Sequence, residues 1–230
     1  MTIDYEAEYN NRRRVPDNEE ISARFVKASA EWQAKGDMLA DQSYGPGERQ
    51  RFDLFRARRA GARTDSGSAP LVVYIHGGYW QRGDRKAVSF AARELNARGI
   101  DVACPSYSLA PAVTVSAIVE ELRQCLRVLH ERTKAHPVVV GHSAGGHLAA
   151  AMLATDWSAV AGMPQDLVRS AYALSGVFDP APLITTSLNE ALRLDAASAR
   201  AADLIHGRAP PSSSTMVAAV GAEESPEFIR

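Results

Sequence analysis

Apolar positions follow two rhythms along this chain, and the rhythms alternate. Leu71 to Ile75, Ile100 to Cys104, Pro137 to Val140, Val168 to Leu174 and Met216 to Val220 are short apolar runs of buried-strand type, and Arg51 to Arg56 alternates as a further short strand. Between them the spacing turns helical. Val115, Ile118, Val119, Leu122, Leu126 and Leu129 recur at intervals of three and four and predict a long amphipathic helix; Lys86 to Arg98 and Ala144 to Ala154 also read as helices. Residues 1–45 form an N-terminal lead-in that reads as helical over 1–40, where Ile21, Phe25, Val26 and Ala30 share a face, before a turn at Tyr44-Gly45-Pro46-Gly47. Gly61 to Pro70 is expected to be a surface loop, and residues from about 180 to 211 a helical, polar, cap-like insertion. The alternation implies an α/β fold, a mostly parallel twisted sheet with helices on both faces, built as a single domain over residues 1–230.

Composition narrows the functional classes. A chain of 230 residues that is 46% hydrophobic and 23% charged buries a substantial core, which excludes disorder, collagen and coiled coil. Twenty-six Lys and Arg against 27 Asp and Glu leave a net charge of -1, so there is no broad basic field and nucleic acid is not an expected partner. Cys104 and Cys125 are too few for a disulfide framework, lack the paired spacing of a zinc site, and are expected as small buried hydrophobes in a reducing, cytoplasmic setting. No pair of His, Asp or Glu at ligand spacing is joined to a second one, so no metal and no cofactor is expected. The first ten residues carry Asp4, Glu6 and Glu8 around no apolar core, and no run of eighteen uncharged apolar residues exists; neither a signal peptide nor a membrane contact is expected.

The chemistry concentrates in two motifs. Gly141-His142-Ser143-Ala144-Gly145 is G-x-S-x-G, preceded by the strand ending at Val140 and followed by a helix-compatible run. The chain must turn from strand to helix so sharply that side chains at the glycine positions would clash, which leaves the Ser143 hydroxyl exposed as the candidate nucleophile. The helix that begins at Ala144 directs free N–H groups and its positive dipole end to the place where an oxyanion would form. His76-Gly77-Gly78-Tyr79-Trp80 stands at the end of the strand Leu71 to Ile75. Paired glycines let backbone N–H groups approach a reacting carbonyl, so Gly77, Gly78 and Ala144 are the expected oxyanion donors. Tyr79 and Trp80 either wall an aryl or acyl substituent or pack in the core at the strand end.

These motifs resemble those of α/β-hydrolases of the esterase and lipase type, and more narrowly the kynurenine formamidase (arylformamidase) group with its bacterial esterase-like relatives. The resemblance rests on His76 to Trp80 and extends to Tyr9-Asn10-Asn11-Arg12, Arg49 to Phe55, Ser175-Gly176-Val177-Phe178-Asp179 and Val220 to Phe228. It implies a serine hydrolase acting on a small-molecule substrate, either an aryl formamide such as N-formylkynurenine or a short-chain carboxylic ester, without cofactor; a homo-oligomer is a further expectation of the chain.

In this fold the acid follows a late strand and the histidine follows the last one. Glu224 matches the acid position, in a Ser-Pro-Glu-Phe context where the resembling formamidases carry aspartate; the alternatives are that it is a solvated loop carboxylate, or that Asp179 is the acid. Six residues follow Glu224 and none is His. The resemblance implies a further helix, strand and loop carrying the general base, so the expectation is a chain one such unit short, with Met216 to Val220 left as a sheet edge. His76, His142, His147, His130 and His136 read as structural or solvated, and His206 as the one placed to swing over the site. The reading from another class is a hydrolase-like protein that binds a ligand without turning it over.

Overall fold

The computed structural model describes residues 3–57 and 69–229, so residues 61–68 of the expected surface loop lie outside the described residues. The helices are α1 (Tyr5–Tyr9), α2 (Asn18–Lys35), α3 (Ala91–Asn96), α4 (Val115–Thr133), α5 (Ala144–Leu153), α6 (Asn189–Leu192), α7 (Ala196–Ala202) and α8 (Pro226–Ile229). The strands are β1 (Asp37–Ser43), β2 (Arg51–Arg56), β3 (Leu71–Ile75), β4 (Asp101–Pro105), β5 (Val138–His142), β6 (Ser170–Leu174) and β7 (Thr215–Ala219). They form one sheet in the order β1-β2-β4-β3-β5-β6-β7. β1 and β2 enter antiparallel; every pair from β4 to β7 is parallel.

Alternation along the strands divides the sheet into two faces. Phe52, Leu54, Val73, Ile75, Ala103 and Val139 point into the larger core, with Ile118, Leu122 and Leu126 of α4 and Leu148 and Met152 of α5. Phe55, Val72, Val102 and Cys104 point the other way, onto Trp32 of α2 and Ala92 and Leu95 of α3. Covering both faces is what makes the central strands near-continuous apolar runs. The spacing of three and four in α4 is the buried stripe Val115, Ile118, Leu122, Cys125, Leu126 and Leu129, and Thr114 caps the helix by accepting the Ala117 N–H at 3.2 Å.

Two expectations are corrected. The helical lead-in stops at Lys35, and residues 37–43 form β1, an edge strand with almost no apolar stripe that is recruited by its ladder to β2 rather than by its own pattern. The helix expected over 86–98 is instead a 3-10 turn at Arg85–Ala87 followed by the shorter α3, because the Asp84 side chain caps the turn at Lys86 N. β7 closes the described sheet as an edge strand, with Met216 and Val217 exposed. The insertion between β6 and β7 is a 3-10 turn at Ala181–Thr185 with α6 and α7.

Candidate active site

Parallel strands β3, β5, β6 and β7 deliver their carboxyl ends to one rim of the sheet, which is where α/β folds place ligands. Ser143 stands there, between β5 and α5, with φ 57° and ψ -123°. A non-glycine residue in that conformation is strained, and the surroundings hold it: Ser143 N–H donates to the Leu174 carbonyl at 2.8 Å, and its own carbonyl accepts from Gly146 and His147. The flanking glycines are required by close approach. A Cβ on Gly141 would stand 2.0 Å from the Gly145 carbonyl oxygen, and one on Gly145 would stand 2.2 Å from the Ile75 carbonyl oxygen.

The loop after β3 lies directly against this turn. A Cβ on Gly77 would meet the His142 carbonyl oxygen at 2.6 Å and Ser143 Cβ at 3.1 Å. Gly78, at φ +117°, starts a tight turn in which its carbonyl accepts from Gln81 and Arg82. Among the described residues neither Gly77 nor Gly78 donates its backbone N–H to a protein acceptor. Ala144, at the first position of α5, lies where helix N–H groups have no intrahelical partner. Gly77 packs against Ser143, Gly78 follows it in the same loop, and Ala144 follows Ser143 at the start of α5.

The loop is underpinned from below. His76 is buried, stacks on Tyr107 with centroids 4.2 Å apart, and places Nδ1 2.8 Å from the Gly77 carbonyl; Tyr107 donates its hydroxyl to the His76 carbonyl at 2.9 Å. Arg49 bridges the Tyr107 and Gly83 carbonyls at 2.8 and 2.6 Å. Burial lowers the His76 imidazole to a pKa of about 4, so it is neutral, with Nδ1–H as the donor to the Gly77 carbonyl.

Tyr79 and Trp80 have rings 2% and 0% exposed, which is the core-packing alternative: Trp80 meets His147 edge to face at 5.1 Å, and the Tyr79 hydroxyl donates to the Tyr9 carbonyl. Trp80 therefore presents no face to a ligand at Ser143 in this structure.

Glu224 lies in the turn after β7, where its N–H donates to the Gly221 carbonyl at 3.2 Å. Burial and, second to it, the Glu224 charge raise the pKa of the Tyr79 phenol; burial lowers that of His142, and the Glu224 charge opposes the lowering. Asp179 accepts the Ala181 N–H at 2.8 Å.

Among the described residues Ser143 Oγ makes no hydrogen bond to an imidazole. His206, the sequence candidate, is mostly exposed and held 2.8 Å from the Asp203 carboxylate. His147 is buried, with Nε2 2.7 Å from the Ala202 carbonyl and a pKa lowered by burial to about 4. His142 is exposed beside Ser143; partial desolvation lowers its pKa while Glu224 opposes the shift.

The sequence reading missed Tyr9 as a structural partner of this site. An aromatic residue on a five-residue helix gives no periodic signal. It also missed the buried pair Arg85 and Asp53, for which a charge inside the apolar run Phe52-Asp53-Leu54-Phe55 was the available sign.

Over residues 61–177 the sequence matches the BD-FAE family. The chain belongs to the BD-FAE family. This BD-FAE chain is 33% identical to a kynurenine formamidase of Salmo salar and 31% identical to one of Danio rerio, each over 196 residues and 83% of the chain. It spans 64% of the length of both relatives. A protein of Silicibacter sp. tm1040 whose crystal structure carries a provisional thioesterase name superposes with a TM-score of 0.85 at 28% identity, over 99% of this chain and 84% of that one. Esterase B of Lactobacillus rhamnosis shares the fold, with a TM-score of 0.64 at 20% identity over 88% of this chain and 84% of that one. The BD-FAE chain has the α/β-hydrolase fold, and the relatives it resembles are named as kynurenine formamidases and esterases. No helix among the described residues is long and apolar enough to cross a membrane.

Proposed function

We propose that the protein is a serine hydrolase that cleaves a small carboxylic ester or an aryl formamide. The observation that carries the proposal is the strained Ser143 with the loop at Gly77 packed so closely against it that a Cβ on Gly77 would stand 3.1 Å from Ser143 Cβ, while the Gly77 and Gly78 N–H groups donate to no described protein acceptor. Ser143 Oγ attacks the acyl carbon, and the carbonyl π pair moves onto oxygen. The N–H groups of Gly77, Gly78 and Ala144 receive that charge, a stabilisation strongest in the transition state and therefore expressed in kcat. A base takes the Oγ proton and returns it to the departing alcohol or aryl amine. Water then releases the acid from the acyl-enzyme. Glu224 fits the carboxylate that orients an imidazole base and stabilises its charged form. The kinship with kynurenine formamidases supports N-formylkynurenine as the formamide, and the esterase-like fold supports short esters. The buried free thiols Cys104 and Cys125 fit a reducing, cytoplasmic setting.

Ser143 without a hydrogen-bonded imidazole favours a second reading, a protein that binds such substrates without turnover. Hydrolysis of N-formylkynurenine and of phenyl acetate by the purified chain, beside Ser143→Ala, separates the two. Turnover lost in Ser143→Ala supports the hydrolase; equal rates in both proteins overturn it.

A further inference from the structure

The loops that carry the proposed oxyanion donors and acid follow β3, in the middle of the sheet, and β7, at its edge. They are joined through a third element, the short helix α1. The Tyr79 hydroxyl, one residue beyond Gly78, donates to the carbonyl of Tyr9 at the end of α1. The Tyr9 hydroxyl donates to the carbonyl of Glu227 at 3.2 Å, three residues beyond Glu224. Glu227 returns the contact, its N–H donating to the Glu8 carboxylate at 3.2 Å, and the Tyr9 ring packs on Phe228 with centroids 5.8 Å apart. α1 is itself anchored outside the site: Glu6 accepts the Ser187 N–H and hydroxyl, each at 2.8 Å, which ties it to the insertion.

The Tyr79–Tyr9 link of this route is buried and the Tyr9–Glu227 link part-buried, and both phenols are buried and donate in one direction. Tyr9 is 7% exposed and Tyr79 2%. Burial raises the pKa of both phenols, that of Tyr9 to about 12, so each stays a protonated donor at neutral pH. Tyr79 and Trp80 also hold positive φ, 49° and 56°, a conformation that persists only where the surroundings impose it. The Tyr79 hydroxyl is the tether at the end of that strained pair. Hydrogen bonds that are fully satisfied in a buried chain rigidify the elements they join.

We propose that α1 is a strap which sets the distance between the oxyanion loop and the Glu224 loop, with Tyr79 and Tyr9 as positioning residues. The functional part of this inference rests on the hydrolase reading above; the mechanical coupling does not. Neither phenol touches the reacting atoms. Their effect reaches the chemistry through Gly77, Gly78 and Glu224, so it belongs to the transition state and not to substrate binding.

The test uses Tyr9→Phe, Tyr79→Phe and the double variant in the full chain, which keep both rings in the core. Amide hydrogen exchange is followed in the segments 76–82 and 221–229. A strap requires that Tyr9→Phe, which cuts only the bond to Glu227, speeds exchange in 76–82 by about threefold or more, and that Tyr79→Phe does the same in 221–229. If each variant loosens only its own end, the strap is overturned. A second measurement is the affinity for phenylboronic acid, whose boron bonds to the serine Oγ as the hydroxyl proton leaves to solvent, and whose tetrahedral oxygen occupies the oxyanion position. Each single variant is expected to weaken it about tenfold, the double variant no more than either alone, and kcat to fall by the same factor with KM within about twofold. Unchanged boronate affinity and kcat in both variants would overturn the positioning role. Ser143→Ala distinguishes the failures: if wild type and Ser143→Ala bind the boronate equally, the hydrolase reading falls, and the exchange experiment still decides the strap.

Discussion

Gly77 approaches Ser143 so closely that a methyl group on its α-carbon would stand 3.1 Å from Ser143 Cβ and 2.6 Å from the carbonyl oxygen of His142. The second contact is with backbone and has no flexible neighbour to yield. Gly77→Ala is therefore expected to push the oxyanion loop away from the turn at Ser143. Losing one oxyanion donor costs about 10²–10³ in kcat, and that is the expected loss here. Steady-state kinetics with phenyl acetate would check it, alongside circular dichroism to show that the fold remains.

Ser143 is held at φ 57° and ψ -123°, a conformation that costs a non-glycine residue about 1–3 kcal/mol. Ser143→Gly removes the strain together with the hydroxyl. The variant is expected to be catalytically silent and more stable than wild type by about 1 kcal/mol, read as a higher urea midpoint. A lower midpoint would mean that the turn is relaxed and that Ser143 contributes more by packing than it loses by strain.

His76 and His147 set an acid limit to stability. Both are buried, and burial lowers each pKa to about 4 from an ordinary 6.5. Between these values the unfolded chain binds the proton and the folded one refuses it. The stability is thus fully present above pH 6.5 and is lost as pH falls towards 4, by up to about 3 kcal/mol for each histidine. Urea midpoints measured from pH 7 to 4 should fall along this window. His147→Gln should flatten the slope by about one proton's worth, roughly 1.4 kcal/mol per pH unit.

Arg85 and Asp53 form a buried ion pair, Nε to Oδ1 at 3.2 Å, with exposures of 6% and 1%. Asp41 and Asp84 also pair with Arg85, joining β1 and β2 to the loop that follows the oxyanion turn. Arg85→Met leaves Asp53 buried without its main partner and is expected to cost about 3–5 kcal/mol. Adding Asp53→Asn removes the orphaned charge, so the double variant should be less destabilised than the sum of the single changes. A urea double-mutant cycle measures that coupling.

Much of the α/β fold was legible in one dimension. Leu71 to Ile75 and the strand before Gly141 are apolar on both faces, which only a sheet covered on both sides accommodates, and the α4 stripe from Val115 to Leu129 has a period no strand could use. β1 was illegible because Asp37 to Ser43 has no burial pattern of its own and is a strand only through its pairing with β2. The candidate site divides in the same way. The strained turn at Ser143 and the glycine approach at Gly77 are local demands of backbone sterics, written in Gly-His-Ser-Ala-Gly and His-Gly-Gly.

By itself, then, the sequence determined the layered α/β architecture and the two turns that frame Ser143, because periodicity and glycine placement act over a few neighbouring residues. Only the tertiary structure decided that Tyr79 and Trp80 face inward, that Arg85 pairs with Asp53, and that Tyr9 joins the loop after β3 to α8 at the chain's end. The physical reason is that a hydrogen bond or ion pair between residues tens or hundreds of positions apart leaves no period in either segment, and its partners meet only when the sheet brings their loops to one rim.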